Sequence, residues 1–270
     1  MEDAGASIVS PAAELVTRET DPADEERELP SAIHDLIKRL EGKGELITSL
    51  PLLDGPEFQD FFPERESLSK ITGWRSKVRL RVLEAISNCN TLEAMDVRDI
   101  CGGYISRLTP SEWELVLRKF RSITVLQQIR LDSLEWSSDE DVESLCLQVG
   151  RILKTSSVTD LTVYNCRLSA RCFLNLASGL RGNLESNLKY LTLVNAWEGS
   201  SAAKHVADMI NSAPLLERLH LSVGSDEDMD EETVGILSQS LIHTSSLNWL
   251  ICDGPGMWGS GLVDESLGRR

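Results

Sequence analysis

Residues 158–168 have the sequence VTDLTVYNCRL, and this stretch decides the fold. Leu161 and Val163 alternate with polar or aromatic residues, and an alternation of period two is typical of a strand that buries one face. Asn165 and Cys166 follow directly, in a place where a polar residue favours a turn. The stretch therefore predicts a short, one-sided strand that ends in a turn.

The same apolar spacing recurs five more times along the chain. The pattern apolar-x-x-apolar-x-apolar begins at Leu92, Leu126, Val158, Leu188, Leu216 and Leu247. Successive starts are separated by 34, 32, 30, 28 and 31 residues. A regular period of this length indicates an array of structural repeats. The period carries more weight than any single copy.

Each of the first five copies is followed by a predicted helix. Apolar residues recur there with a spacing of three and four, which makes one buried stripe per helix. The stripes comprise Trp113, Val116, Leu117 and Phe120; Val142, Leu145, Val149, Ile152 and Leu153; Phe173, Leu176, Ala177 and Leu180; Ala203, Val206, Ala207 and Ile210; and Val234, Leu237 and Leu241. Thr109, Pro110 and Glu112 form the sequence pattern of a capping box, which predicts a helix start.

The repeats resemble the leucine-rich-repeat family, in particular its ribonuclease-inhibitor-like subclass. Residues 158–168 fit the pattern L-x-x-L-x-L-x-x-N/C-x-L to its last position. The resemblance covers residues 75–253 and implies an α/β solenoid, a horseshoe with parallel strands on its concave face and helices on its convex face. The ninth position departs from Asn or Cys in the other copies, so the repeats are degenerate: Ile100, Leu134, Ala196, Gly224 and Pro255.

The segments flanking the repeats differ in character. Residues 1–30 carry nine acidic and two basic residues, which predicts a disordered tail. Residues 31–74 are expected to form a helical and irregular N-terminal cap, with one helix over 31–50. Residues 254–270 form a Gly-rich end that is flexible or truncated. The repeats are similar to those of plant receptors and of the N-terminal arms of large multidomain GTPases. Because no recognisable closing helix follows Cys252, we hypothesise that the chain is an incomplete gene product or a segment of a longer repeat protein.

The composition disfavours several classes of function. With 27 Lys and Arg against 43 Asp and Glu, the formal charge is −16, which opposes binding to nucleic acid and to anionic membranes. No apolar stretch approaches the roughly 20 residues of a membrane helix, and the N-terminus lacks a signal peptide. Six scattered cysteines form no disulfide or zinc pattern. We therefore expect a cytoplasmic or nuclear protein.

Sequence motifs that could indicate a catalytic or cofactor site have simpler explanations. Residues 254–259 match G-x-G-x-x-G, but a dinucleotide site needs a following helix and an acidic residue about 20 positions later. Only eleven residues remain after Gly259. The acidic run from Asp226 to Glu232 lacks the central glycine and ligand spacing of a calcium-binding loop. We expect no enzyme activity, no cofactor and no metal.

The predicted concave face contains the candidate partner-binding residues. The third, fifth and seventh positions of the copies point outward, and they include aromatic and arginine side chains, which dominate binding hot spots. These candidates are Arg98, Arg130, Tyr164, Tyr190, Arg218, His220 and Trp249. The sequence thus predicts a protein-binding scaffold. Its last strand is expected to leave an edge open to association with another chain.

Two alternative functions remain open at this stage. The first is a regulator of a GTPase, with Arg98 or Arg130 acting at the nucleotide, by analogy with a regulator family built from similar repeats. The second is a substrate-recognition subunit of a ubiquitin ligase, because Leu29-Pro30 before an apolar helix resembles the start of an F-box. The rest of that motif does not follow.

Overall fold

The computed structural model describes residues 29–53, 55–63, 67, 70–123, 125–155, 157–223 and 230–253. Three predictions therefore concern regions outside the described residues: the tail up to residue 28, the Gly-rich end at 254–270 with its G-x-G-x-x-G motif, and the acidic residues 226–228. None of the described helices has the length and apolar character needed to cross a lipid bilayer.

The described residues form one parallel six-stranded sheet in which the strand order follows the chain order. Parallel neighbours need a long crossover, and each crossover here contains at least one helix. The fold class is therefore α/β, as the sequence predicts. The strands are β1 (Ala94–Asp96), β2 (Gln128–Asp132), β3 (Asp160–Tyr164), β4 (Tyr190–Val194), β5 (Arg218–Ser222) and β6 (Trp249–Asp253).

Eight α-helices accompany the sheet in the described part of the chain. Two precede β1 and the other six lie in the crossovers, together with two 3₁₀ turns at Ile105–Arg107 and Lys119–Ser122. The helices are α1 (Ser31–Leu40), α2 (Trp74–Asn88), α3 (Val97–Cys101), α4 (Pro110–Arg118), α5 (Asp139–Thr155), α6 (Ala170–Leu180), α7 (Gly199–Asn211) and α8 (Glu231–Ile242). Their apolar stripes are buried in one continuous core.

The two faces of the sheet differ in burial. The second and fourth residues of β2 to β5 are buried in the core, whereas the first, third and fifth are half-buried or exposed. The predicted strand register is therefore confirmed for these four strands. We call the uncovered side the open face. It comprises Ala94, Asp96, Gln128, Arg130, Asp132, Asp160, Thr162, Tyr164, Tyr190, Thr192, Val194, Arg218, His220, Ser222, Trp249, Ile251 and Asp253.

Helix α4 begins as the sequence predicts. The Thr109 hydroxyl accepts from the Glu112 backbone N–H at 3.3 Å, and the Glu112 carboxylate accepts from the Thr109 backbone N–H at 2.8 Å. Pro110 occupies the first helical position, where its missing N–H costs nothing. The capping box is confirmed, and it fixes Glu112 at the start of the helix.

Two predictions about the N-terminal region are wrong in detail. The helix expected over residues 31–50 ends at Leu40, where Gly42 adopts a positive φ of 72°. Leu29 and Pro30, assigned to the disordered tail, lie at the start of α1, and Leu29 packs against the core. In its described residues, the cap therefore consists of one short helix followed by irregular backbone before α2.

Arg98 does not lie on a strand, which corrects its predicted place on the sheet. Strand β1 ends at Asp96, whose carboxylate accepts the Arg98 backbone N–H at 2.9 Å and thereby begins helix α3. Gly102, with a φ of 58°, ends this helix after one turn. Arg98 is exposed on this helix and is not part of a strand.

Strand β6 has one neighbour, β5, among the described strands. Its apolar Leu250 is half-buried, whereas its counterparts on β3 to β5 are fully buried. The residues that follow Asp253 lie outside the described part of the chain. Association through this edge stays a prediction.

Candidate functional site

The parallel register aligns three of the predicted site residues in one row. Tyr190 on β4 pairs with Arg218 on β5, and Arg218 pairs with Trp249 on β6. Neighbouring strands lie about 4.8 Å apart, so side chains at paired positions are in reach of one another. The row places one aromatic ring on each side of the Arg218 guanidinium group.

Arg218 contacts both aromatic rings. Its guanidinium carbon lies 5.5 Å from the centroid of the Tyr190 ring and 5.8 Å from that of Trp249. Each distance is within the range of a cation–π interaction, which contributes about 0.5–1 kcal/mol at an exposed site. The two contacts hold a long, flexible side chain in one place on the open face.

A shallow depression of about 300 Å³ lies over this row. Its lining includes two open-face residues that are not among the predicted candidates, Asp160 and Thr192. Neither side chain is aromatic or basic, so the criterion of hot-spot residue types did not select them. The remaining lining residues are Tyr190, Leu191, Arg218, His220 and Trp249.

His220 lies on the neighbouring row and is engaged by a carboxylate. Its Nε2 is 3.1 Å from Asp253 Oδ2, across β5 and β6. This contact orients the imidazole ring at the border of the depression. His220 thus belongs to the same surface as Arg218, as predicted, and Asp253 is its unpredicted partner.

Arg130 lies at the other end of the open face and is neutralised there. It donates to Asp132 Oδ2 from Nη2 at 2.6 Å and from Nε at 3.1 Å, and Asp96 Oδ2 lies 3.6 Å from Nε. The hydrogen bonds to Asp132 raise the pKa of the guanidinium above its ordinary value. Tyr164, 38% exposed, lies one strand away, opposite Asp132.

The Asp160 carboxyl group at the depression forms no ion pair with any described residue. Burial raises the pKa of Asp160 above its ordinary value, although the Thr162 hydroxyl, at 3.4 Å, lowers it somewhat. An acid whose pKa is raised by folding destabilises the folded state at neutral pH, and this penalty disappears as the pH falls.

We expect Asp160→Asn to raise the free energy of unfolding at pH 7 by less than about 1 kcal/mol, because the desolvated charge is removed. Asp132→Asn is the matched control: it removes an ion pair with Arg130 and is expected to lower the free energy by a similar amount. Urea denaturation at pH 7 measures both. Destabilisation by Asp160→Asn would contradict the assignment of an uncompensated carboxylate.

A pair of asparagines follows strands β3 and β4. Asn165 and Asn195 both adopt positive φ, at 51° and 45°, and Asn195 Nδ2 donates to Asn165 Oδ1 at 3.2 Å. Asparagine tolerates this left-handed backbone better than most residues. Each asparagine is the eighth residue of its repeat pattern, one residue before the ninth position, which is Asn or Cys in the family pattern. The pair lies where β3 and β4, and with them the open face, end.

The cysteines belong to the core. All six are free and buried. Burial raises the pKa of the Cys166 thiol to about 11, and that of Cys252 likewise to about 11. Such thiols are protonated at neutral pH and act as small apolar side chains. Within the described ranges, no group of three His, Cys, Asp or Glu residues could hold a metal ion.

Comparison with known proteins assigns neither a family nor a function to the chain. No protein-family model matches the chain. A comparison with curated protein sequences finds no match either. The candidate site therefore depends on the geometry of the open face alone.

Proposed function

We propose that the chain is a leucine-rich-repeat solenoid of the ribonuclease-inhibitor-like type that binds a partner protein on its open face and has no catalytic role. The strand–helix unit supports the fold, because it recurs with the period of the sequence pattern and adds one strand at a time to the same sheet. A unit of this kind buries its apolar face only when neighbours stack on it.

One observation carries the proposed binding function: Arg218 is held between Tyr190 and Trp249 on a face that no described element covers. Trp249 is 45% exposed, and an aromatic ring on an uncovered sheet gains little from contact with water. Tyr, Trp and Arg are the residue types that dominate the energy of protein interfaces. The row thus has the composition of a binding hot spot.

The contacts on the face do not favour the alternative functions. A GTPase regulator of the kind considered above would present a free arginine near the N-terminal end of the sheet. Arg130 there is engaged by two carboxylates, and Arg98 lies on a one-turn helix and not on a strand of the sheet. No contact among the described residues bears on a role in a ubiquitin ligase.

The proposal predicts that Tyr164→Ala/Tyr190→Ala loses a partner while the chain stays folded. Both rings lie on the open face and fill no core space, so we expect binding to a purified partner to weaken tenfold or more, roughly as for two hot-spot residues. Affinity capture from cell extract with the wild type and the double variant, followed by mass spectrometry, identifies the partner. Titration with the purified partner then measures the loss.

The matched control is Leu174→Ala/Leu215→Ala, which removes two exposed apolar side chains outside the open face. It is expected to retain the partner. Circular dichroism establishes that both variants are folded. Identical captures by the wild type and the tyrosine variant would contradict binding through the open face, and unfolding of the tyrosine variant would contradict the assigned register.

A further inference from the structure

The open face carries two strand arginines, Arg130 and Arg218, whose surroundings differ. Arg130 uses its N–H groups on Asp132 and lies close to Asp96, so its charge is balanced within the chain. Arg218 lies over the faces of two aromatic rings. Among the described residues, no carboxylate or carbonyl oxygen accepts a hydrogen bond from its guanidinium group.

Contact with aromatic faces leaves the hydrogen-bonding edge of a guanidinium unused. The group has five N–H donors in a planar fork, and that fork matches the two oxygens of a carboxylate. Tyr190 and Trp249 also limit the conformations of the Arg218 side chain, which lowers the entropy that binding would otherwise cost. Arg218 is therefore preorganised and exposed, and its guanidinium N–H groups have no hydrogen-bond acceptor among the described residues.

Among the described residues, no carboxylate forms a hydrogen bond or an ion pair with Arg218. Asp160 lines the same depression, but it is in register with Tyr190 and therefore two strands from Arg218, about 10 Å between the backbones at the usual strand spacing. The Asp253 carboxylate lies 3.1 Å from His220 instead. The Arg218 guanidinium is thus unpaired within the described part of the chain, although the chain as a whole carries a formal charge of −16.

We infer that Arg218 binds the carboxylate of an Asp or Glu side chain of the partner protein, while Tyr190 and Trp249 contact the apolar atoms beside that carboxylate. The depression of about 300 Å³ in front of the row has room for one such side chain. The inference rests on the proposed function, because it names the group that a partner presents to the open face. Arg130 already donates to Asp132 and is therefore not expected to bind such a carboxylate in the same way.

Three short peptides test the inference: acetyl-Ala-Tyr-Glu-Tyr-Ala-amide and the same peptide with Gln or Lys in place of Glu. Binding is followed by NMR, through the indole N–H of Trp249 and the side-chain N–H signals of Arg218. We expect the Glu peptide to bind about tenfold more tightly than the Gln peptide, because charge-assisted hydrogen bonds are stronger than neutral ones. The Lys peptide is expected to bind most weakly.

Two variants locate the effect. Arg218→Met retains an apolar side chain between the rings but removes the donors, so the preference for Glu over Gln is expected to vanish. Arg130→Met is the matched control and is expected to retain it. Preference for the Lys peptide would overturn the inference and implicate Asp160 as the anchor. Equal binding of all three peptides, or binding of none, would overturn it as well.

This outcome is separable from the outcome for the proposed function. The peptide titrations need no natural partner, whereas the capture experiment needs no knowledge of the recognised group. If the peptides show no preference for Glu but Tyr164→Ala/Tyr190→Ala still loses its partner, the open face binds protein through other contacts. If both fail, the open face is not the binding surface.

Discussion

Gly179→Ala is expected to lower the free energy of unfolding by about 3 kcal/mol, the upper end of the usual cost of overpacking. A methyl group at position 179 would overlap the backbone carbonyl oxygen of Gly150 and come within 2.6 Å of the carbonyl carbon. Backbone atoms cannot move aside as the end of a flexible side chain can. Helices α5 and α6 would have to separate, and the contacts around Gly150 would be lost with them.

The effect extends beyond one contact, since Asn175 Nδ2 also donates to the Glu143 backbone carbonyl at 3.0 Å across the same helix pair. In a stacked array each unit is stabilised by its neighbours. Separation in the middle of the stack is therefore expected to make unfolding less cooperative. Urea denaturation followed by far-UV circular dichroism measures both the midpoint and the slope.

Gly235→Ala is the matched control for Gly179→Ala. Gly235 lies on the exposed side of α8, and a methyl group there would have no neighbour within 4 Å. Alanine favours the helix over glycine, so this variant is expected to gain about 0.5–1 kcal/mol. Equal stability of the two variants would contradict the close approach of α5 and α6.

The strands and the inward or outward direction of their side chains could be predicted from the sequence, because two physical patterns agree. The alternation of period two marks Leu161 and Val163 as buried, and the regular period places every later strand beside the previous one. The row Tyr190–Arg218–Trp249 follows from this register. The apolar pattern is sufficient to predict this row because none of the strands β4, β5 and β6 contains a residue with positive φ.

Local capping explains where the sequence predictions are wrong. The spacing from Leu92 places Arg98 on a strand, but the Asp96 side chain caps a one-turn helix and ends β1 early. An aspartate followed six residues later by glycine is a signal of such a turn. In the same way, Gly42 ends α1, although apolar residues continue past it.

The charge balance of the open face could not be predicted, because it depends on distances between rows. The sequence places Asp96, Asp132 and Arg130 on the face, but only the geometry shows that both carboxylates approach the same guanidinium group. This pairing is the difference between Arg130 and Arg218, which has no carboxylate partner among the described residues. Likewise, a glycine in a helix sequence does not reveal that a second glycine on the next helix faces it.

Arg79 is a buried charge that organises the N-terminal part of the chain. It is 4% exposed and donates to both oxygens of Glu112, at 2.6 and 3.1 Å, and to the backbone carbonyl of Phe61 at 2.9 Å. It also donates to the Arg107 carbonyl and lies 5.0 Å from the centre of the Phe62 ring. One side chain thus joins α2, α4 and the irregular segment between α1 and α2.

Arg79→Met is expected to lower the free energy of unfolding by about 3 kcal/mol, because Glu112 and two carbonyl groups lose their donor in a buried place. Arg75→Met is the control on the same helix. Arg75 forms an exposed ion pair with Asp60 at 3.4 Å, and its loss is expected to cost less than about 1 kcal/mol. Urea denaturation at pH 7 compares the two, and similar costs would contradict the bridging role of Arg79.

The pH dependence of stability tests the same ion pair. Burial alone would raise the pKa of Glu112, but the hydrogen bonds from Arg79 and Thr109 outweigh it and hold the pKa below its ordinary value of 4.5. A depressed carboxyl pKa stabilises the folded chain above the unfolded value, and this stabilisation is lost as the pH falls through the folded pKa. The difference between the wild type and Arg79→Met is therefore expected to shrink as the pH falls through the acidic range, from the Glu112 pKa of the variant to the lower Glu112 pKa of the wild type. A difference that persists undiminished at lower pH would assign the cost of Arg79→Met to packing and to the two carbonyl groups, and not to the Glu112 carboxylate.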